Sequence, residues 1–191
     1  MEENRVDQKR LLVIGGSAGS LDVLLQVLPA IDPQLRIPVV IVLHRKSSND
    51  NLLADLLASR TSLKVKEADE KELVRPGHIY IAPADYHLLL EADQSFSLDY
   101  SEKVNYSRPS IDVVFQSAAD VYGASLVCLL LSGANADGTE GFRYVKSKGG
   151  TTLVQDPETA EVDYMPRSAL QQHCVDKVLR TEAIAAYINT L

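Results

Sequence analysis

Runs of consecutive apolar residues set the terms of this chain's fold. Leu11–Ile14, the PVVIVL run from Pro38, HIYIAP at residues 78–83 and SLVCLLL ending at Leu131 are too short for core helices. A strand that alternates apolar and polar residues covers one face of a sheet, whereas one that is apolar throughout is buried on both. TTLVQD, from Thr151, reads as a further strand. Between these runs lie stretches with helical spacing: Leu21–Leu28 closed by Pro29, Asn51–Ala58, and a helix that takes Ser110 as its cap after Pro109. Thr139–Lys148 follows, ended by Gly149-Gly150, and then Arg167–His173 and Glu182–Leu191. This alternation predicts a three-layer α/β architecture: a mostly parallel open sheet of about seven strands with helices on both faces. HLLLEADQSFSLDY, with two alternating runs around Ala92–Gln94, reads as a small β-hairpin decorating that sheet. No linker or repeat divides the chain, so residues 1–191 form one domain with a charged tail at residues 1–10.

Charge and cysteine usage narrow the class. A net charge of -7 argues against nucleic-acid binding, which needs a basic face to displace counterions. Cys128, inside the LVCLLL run, and Cys174 are no disulfide framework, and neither has the neighbours of a metal site. MEENRVDQKR lacks the apolar core of a signal peptide, and the longest apolar run is far too short to cross a bilayer. The expectation is a soluble, cytoplasmic protein with no membrane insertion.

Sites in open parallel sheets form beyond the carboxyl ends of the strands. The first strand ends at Gly15-Gly16-Ser17, the second at His44, and the LVCLLL strand at SGANADG, which holds Asp137. A serine hydroxyl needs a base within reach to act as a nucleophile, and the base needs a carboxylate to hold its tautomer. The two glycines suit a tight turn with unusual dihedrals, and the next helix aims its first amides near the hydroxyl. Each residue also has a plain structural role. Ser17 can be a cap or part of a phosphate-cradling turn, His44 a loop residue, and Asp137-Gly138 a turn pair. GGSAGS is not GxGxxG, and strand two ends in His-Arg-Lys without a ribose-binding carboxylate, which weakens a dinucleotide reading. From these residues alone, a serine hydrolase and a binding scaffold both remain open.

IGGSAGS, VLH, IYIAPADYHLLL, SRPSIDVVFQSAA, LLLSGANADGTEG and YMPRSAL, in that order, resemble the catalytic domain of the CheB-type chemotaxis protein-glutamate methylesterases. The resemblance spans roughly residues 11–180. It implies an enzyme: a serine carboxylic-ester hydrolase that demethylates glutamyl methyl esters on chemoreceptors and deamidates certain receptor glutamines, without metal or cofactor. A non-catalytic receptor-binding or signalling-protein-binding module on the same scaffold is the alternative. By position, Ser17 matches the nucleophile, His44 the general base and Asp137 the carboxylate that orients it. Ala134 stands where the family usually has a methionine whose backbone amide donates to the oxyanion, and Ala18 where it often has a threonine. Arg45, His87 and Met165 are further candidates for the substrate cleft. Arg45-Lys46 replace a usual Met-Pro and suit an acidic partner. The family's receiver domain is not matched, so the expectation is a stand-alone catalytic domain, with a receiver acting in trans left open.

Overall fold

The computed structural model describes residues 10–45 and 51–191, so Lys46 and most of the charged tail lie outside the described residues. β1 (Leu11–Gly16) is buried along its whole length. It pairs in parallel with β2 (Val39–Leu43) on one side and β7 (Leu126–Leu130) on the other. The sheet continues outward to β4 (His78–Ile81) and β3 (Lys64–Glu67) beyond β2, and to β8 (Thr151–Gln155) and β9 (Lys177–Leu179) beyond β7. Its seven strands run in the order β3-β4-β2-β1-β7-β8-β9, with every pair parallel. β5 (His87–Leu90) and β6 (Phe96–Asp99) form the antiparallel hairpin as a separate sheet.

Period-two alternation sends the two sides of each central strand into different cores. Leu11 and Val13 belong to the core that also takes residues from α3 (Ile111–Tyr122), α4 (Thr139–Ser147), α5 (Tyr164–Gln171) and the hairpin. Leu12 and Ile14 belong to the opposite core, which takes residues from α1 (Ser20–Val27), α2 (Leu52–Ala58) and α6 (Thr181–Ile188). Each buried Val, Leu or Ile stabilises the fold by roughly 1.5–3 kcal/mol. The strands that carry the site are therefore anchored on both faces.

Two strands had no apolar signature in the sequence. KVKE and KVL are edge strands, paired on one side only, where charged residues block further pairing. α5 begins at Tyr164 rather than Arg167 and carries Pro166 in its first turn, a position proline tolerates. The glycines ending β1 serve a different purpose from the one their pattern suggested. Neither has a positive φ; that conformation falls on Gly19, at 79°. A Cβ on Gly15 would lie 2.5 Å from Ile111 Cγ2, and one on Gly16 would lie 2.5 Å from Ser20 Cβ. Glycine is there to let the first turns of α3 and α1 press against the strand end.

Candidate active site

The strand order reverses at β1: the chain builds β2, β3 and β4 on one side of it, then returns through the hairpin and α3 to add β7 on the other, so the crevice of this sheet opens at the carboxyl end of β1. Its ladder continues past the strand ends. His44 N donates to Gly16 O at 3.2 Å, and Ser17 N donates to Ser132 O at 2.9 Å. Gly16 is paired with Leu43, so the next step sets Ser17 level with His44 on adjacent strands, which lie about 4.8 Å apart. The Ser17 turn is held from below. Ser20 Oγ donates to the Ser17 carbonyl, and buried Ser132 donates its hydroxyl to the Ala18 carbonyl at 2.7 Å.

His44 and Asp137 are joined directly. Nε2 of His44 donates to Asp137 Oδ2 at 2.8 Å, and the Asp137 side chain is fully shielded from solvent. With the proton on Nε2, Nδ1 carries the lone pair. Asn135 Nδ2 lies 3.3 Å from Nδ1 and Ser107 Oγ 3.5 Å from it. Ser17 Oγ is not among the partners of Nδ1, although the register sets the two residues side by side.

Asp137 is bound by a converging set of donors. Oδ2 also accepts from Ile111 N at 2.7 Å, while Oδ1 accepts from Ser110 Oγ, Asp112 N and Asn105 Nδ2 at 2.9, 3.1 and 3.2 Å. Ser110 occupies the N-cap of α3 as its sequence position predicted, but its hydroxyl reaches Asp137 instead of its own helix. Burial by itself would raise the Asp137 carboxyl. The donors from His44, Ile111 and Asp112 outweigh it and hold the group below the ordinary aspartate value. It therefore stays anionic near neutral pH, as a partner for an imidazolium must.

The helix amides are exchanged reciprocally. Asp137, just ahead of α4, takes the first amides of α3. Asp112, in the first turn of α3, accepts from Gly138 N at 2.9 Å and Gly141 N at 2.6 Å at the start of α4. Asn105 Nδ2 bridges the two carboxylates, reaching Asp112 Oδ2 at 2.8 Å. Burial, and after it the charge of Asp137, push Asp112 up to about 6 against the opposing pull of the Gly141 amide.

A cleft of about 390 Å³ opens over His44, lined also by Arg45, Asp85, Lys103, Tyr106, Ser107 and Arg108. Arg45 pairs with Glu67 at the end of β3. Arg108 donates to the carbonyls of Tyr100 and Ser101 and lies 3.9 Å over the Tyr100 ring. Ala18 and Ala134 both face solvent, on the turns that follow β1 and β7. Their amides make no hydrogen bond among the described residues. His87 is buried beneath the site, where Nδ1 accepts from Ser110 N at 3.1 Å and Nε2 meets the Glu102 carbonyl. Met165 is fully buried, packed under Gly133. Both support the loops of the cleft from within and line none of it. Asn105, Ser107, Asp112 and Asn135 were not singled out from the sequence. Asp112 there reads as an ordinary acidic first-turn residue, and the other three are polar loop residues with no local pattern to mark them.

Comparison with known proteins accounts for this arrangement. The profile described as CheB methylesterase matches residues 12–188. The chain belongs to the CheB methylesterase family. A CheB-family relative from Thermotoga maritima, named protein-glutamate methylesterase/protein-glutamine glutaminase, is 38% identical over 173 residues, covering 89% of this chain and 50% of that one. A Leptospira interrogans relative, whose name provisionally gives the same two activities, is 46% identical over 174 residues, covering 91% of this chain and 90% of its own length. The crystal structure of the Thermotoga maritima CheB methylesterase catalytic domain superposes with a TM-score of 0.91 at 36% identity, covering 95% of this chain and 97% of that chain. The expected α/β fold, parallel sheet and hairpin are those of the CheB catalytic domain.

Proposed function

We propose that this CheB-family chain is a serine esterase that hydrolyses glutamyl methyl esters on chemoreceptors, with Ser17 as nucleophile, His44 as base and Asp137 as its anionic partner. The observation that carries the reading is the His44–Asp137 bond of 2.8 Å, set at the strand ends level with Ser17. Ser17 Oγ attacks the ester carbonyl as Nδ1 of His44 takes its proton, and Asp137 holds the imidazolium through Nε2. Hydrogen bonds in substrate-free sites are often loose and tighten on binding, and the Ser17–His44 contact forms at that stage. The amides of Ala18 and Ala134 receive the tetrahedral oxyanion. Methanol departs with the proton from His44. Water, deprotonated by the same nitrogen, cleaves the acyl-enzyme to a glutamate carboxylate and free Ser17. With a glutamine amide the same steps release ammonia, which matches the second activity in the relatives' names. Arg45, on the cleft rim, and Lys46, next in sequence, favour an acidic receptor segment. No helix of the described residues is long and apolar enough to cross a membrane. On this proposal the enzyme works in the cytoplasm, at the receptors' cytoplasmic portions. A receiver domain acting in trans belongs to the same proposal; adding a phosphorylated receiver to the assay tests it through the rate.

The deciding experiment measures methanol released from a methylated chemoreceptor by wild type and by Ser17→Ala, with both shown to be folded. Release by wild type alone supports the reading. Release by neither, from a receptor verified as methylated and with a phosphorylated receiver added, points to the non-catalytic binding module or to a different substrate. Equal release by both removes Ser17 from the role.

A further inference from the structure

Helix caps do not require a second buried carboxylate beside the first. The Asp112 side chain satisfies the amides of Gly138 and Gly141, a task within reach of a neutral oxygen acceptor. It instead brings a charge into a buried pocket next to an anion the reaction needs. Like charges at such spacing oppose each other's ionisation, and carboxylates perturbed in this way concentrate at functional sites. The two groups are held together by one side-chain amide, Asn105 Nδ2, at 2.8 Å from Asp112 and 3.2 Å from Asp137.

We propose that Asp112 is a positioning residue for the hydrolysis: bridged by Asn105, it is the second half of a buried carboxylate pair that acts on His44 through Asp137. The inference rests on the reading of His44 as the base. An anionic Asp112 adds negative potential behind Asp137 and so favours the proton that His44 carries when Ser17 attacks. It also fixes the start of α4 and, through Asn105, the other carboxylate oxygen of Asp137, Oδ1, so that Oδ2 keeps facing His44. Burial supports the assignment by raising Asp112 to about 6, into the range where the enzyme would work. Few other charges face the pair. His44 meets Asp137 from the end of β2, and His87 reaches it from β5 only through the Ser110 amide. Glu140, in the first turn of α4, is exposed and paired with Arg143. Lys103 and Arg108 lie on the cleft side of the loop that carries Asn105.

The test follows the histidine ring titrations of the folded protein by NMR, with His44 assigned through their loss in His44→Gln, alongside the pH profile of kcat/KM for methanol release. In wild type the His44 signals should show a second step at the pH where Asp112 takes up its proton, an observation that needs no variant. In Asp112→Asn the second step should vanish, and the His44 titration and the acid limb of kcat/KM should both move to lower pH. Its kcat should fall about tenfold with KM unchanged, the scale of one hydrogen bond to a charged group. A purely structural Asp112 would lower the rate at all pH values and leave the limb where it was. A single-step His44 titration in wild type, or an unmoved titration in a folded Asp112→Asn, overturns the proposal. Absence of methanol release with the coupling intact overturns the esterase reading instead and leaves the pair standing.

Discussion

Replacing Gly15 with alanine should damage the site from two residues away. The added methyl would sit 2.5 Å from Ile111 Cγ2 and 3.2 Å from both Cγ1 and Cδ1, in a region where Ile111 has no exposed surface to yield into. Overpacking of this kind costs about 1–3 kcal/mol. For a chain of this length about 2 kcal/mol corresponds to a fall in Tm of about 4–8 °C. The strain cannot be relieved without moving the first turn of α3, whose Ile111 amide holds Asp137 Oδ2 at 2.7 Å. Loosening one hydrogen bond to a charged group should lower kcat about tenfold, measured as methanol release well below the Tm. Gly77→Ala is the control. Its φ of 70° imposes about 1–2 kcal/mol of backbone strain, its new Cβ would meet only the Leu35 carbonyl at 3.5 Å, and it lies before β4, at the opposite end of the sheet. It should lower Tm and leave turnover alone. If Gly15→Ala matches wild type in both assays, or loses no more activity than Gly77→Ala, the coupling of strand packing to Asp137 is wrong.

Two further outcomes follow from the carboxylates. Asp137→Asn should lower kcat by about 10⁴, the scale known when a triad histidine loses its charged partner, and a loss below tenfold would remove Asp137 from the role. Asp112 has a folded-state value raised from 3.8 to about 6, so the folded chain binds its proton more tightly than the unfolded chain does. Its contribution to stability is therefore best at low pH and declines as pH rises from about 4 to about 6. The stability of Asp112→Asn relative to wild type should accordingly improve by up to about 3 kcal/mol across that window, as urea unfolding at several pH values would show. A difference that does not vary with pH would contradict the raised value.

The central strands were legible because both of their faces are buried and their residues had no reason to alternate. β3 and β9 were not, since an edge strand such as KVKE is written for solvent and for a single neighbour. Ser17, His44 and Asp137 could be proposed from strand ends alone, because topology brings such ends together whatever the intervening sequence. The partners of Asp137 could not. Asn105 reaches it across 32 residues and Ser110 across 27, and neither separation leaves a periodic trace. The glycines of GGS were visible as a motif but pointed to the wrong cause, since a dihedral need and a packing need give the same letter. Met165 and His87 lie in motifs near the site and are buried, which sequence proximity does not reveal.

The exchange of carboxylates between α3 and α4 also says something about the order in which this half of the molecule comes together. Each helix start has its first amides bound by the other's aspartate, so the two starts should close as one cooperative unit. Local fraying of one end would take two backbone donors from a buried anion at the other. The amides of Ile111, Asp112, Gly138 and Gly141 should then exchange with solvent only when the core itself opens, unlike ordinary helix termini. In a fold whose chemistry sits on loops, the loop bearing Asp137 should then be as hard to unfold as the sheet beneath it.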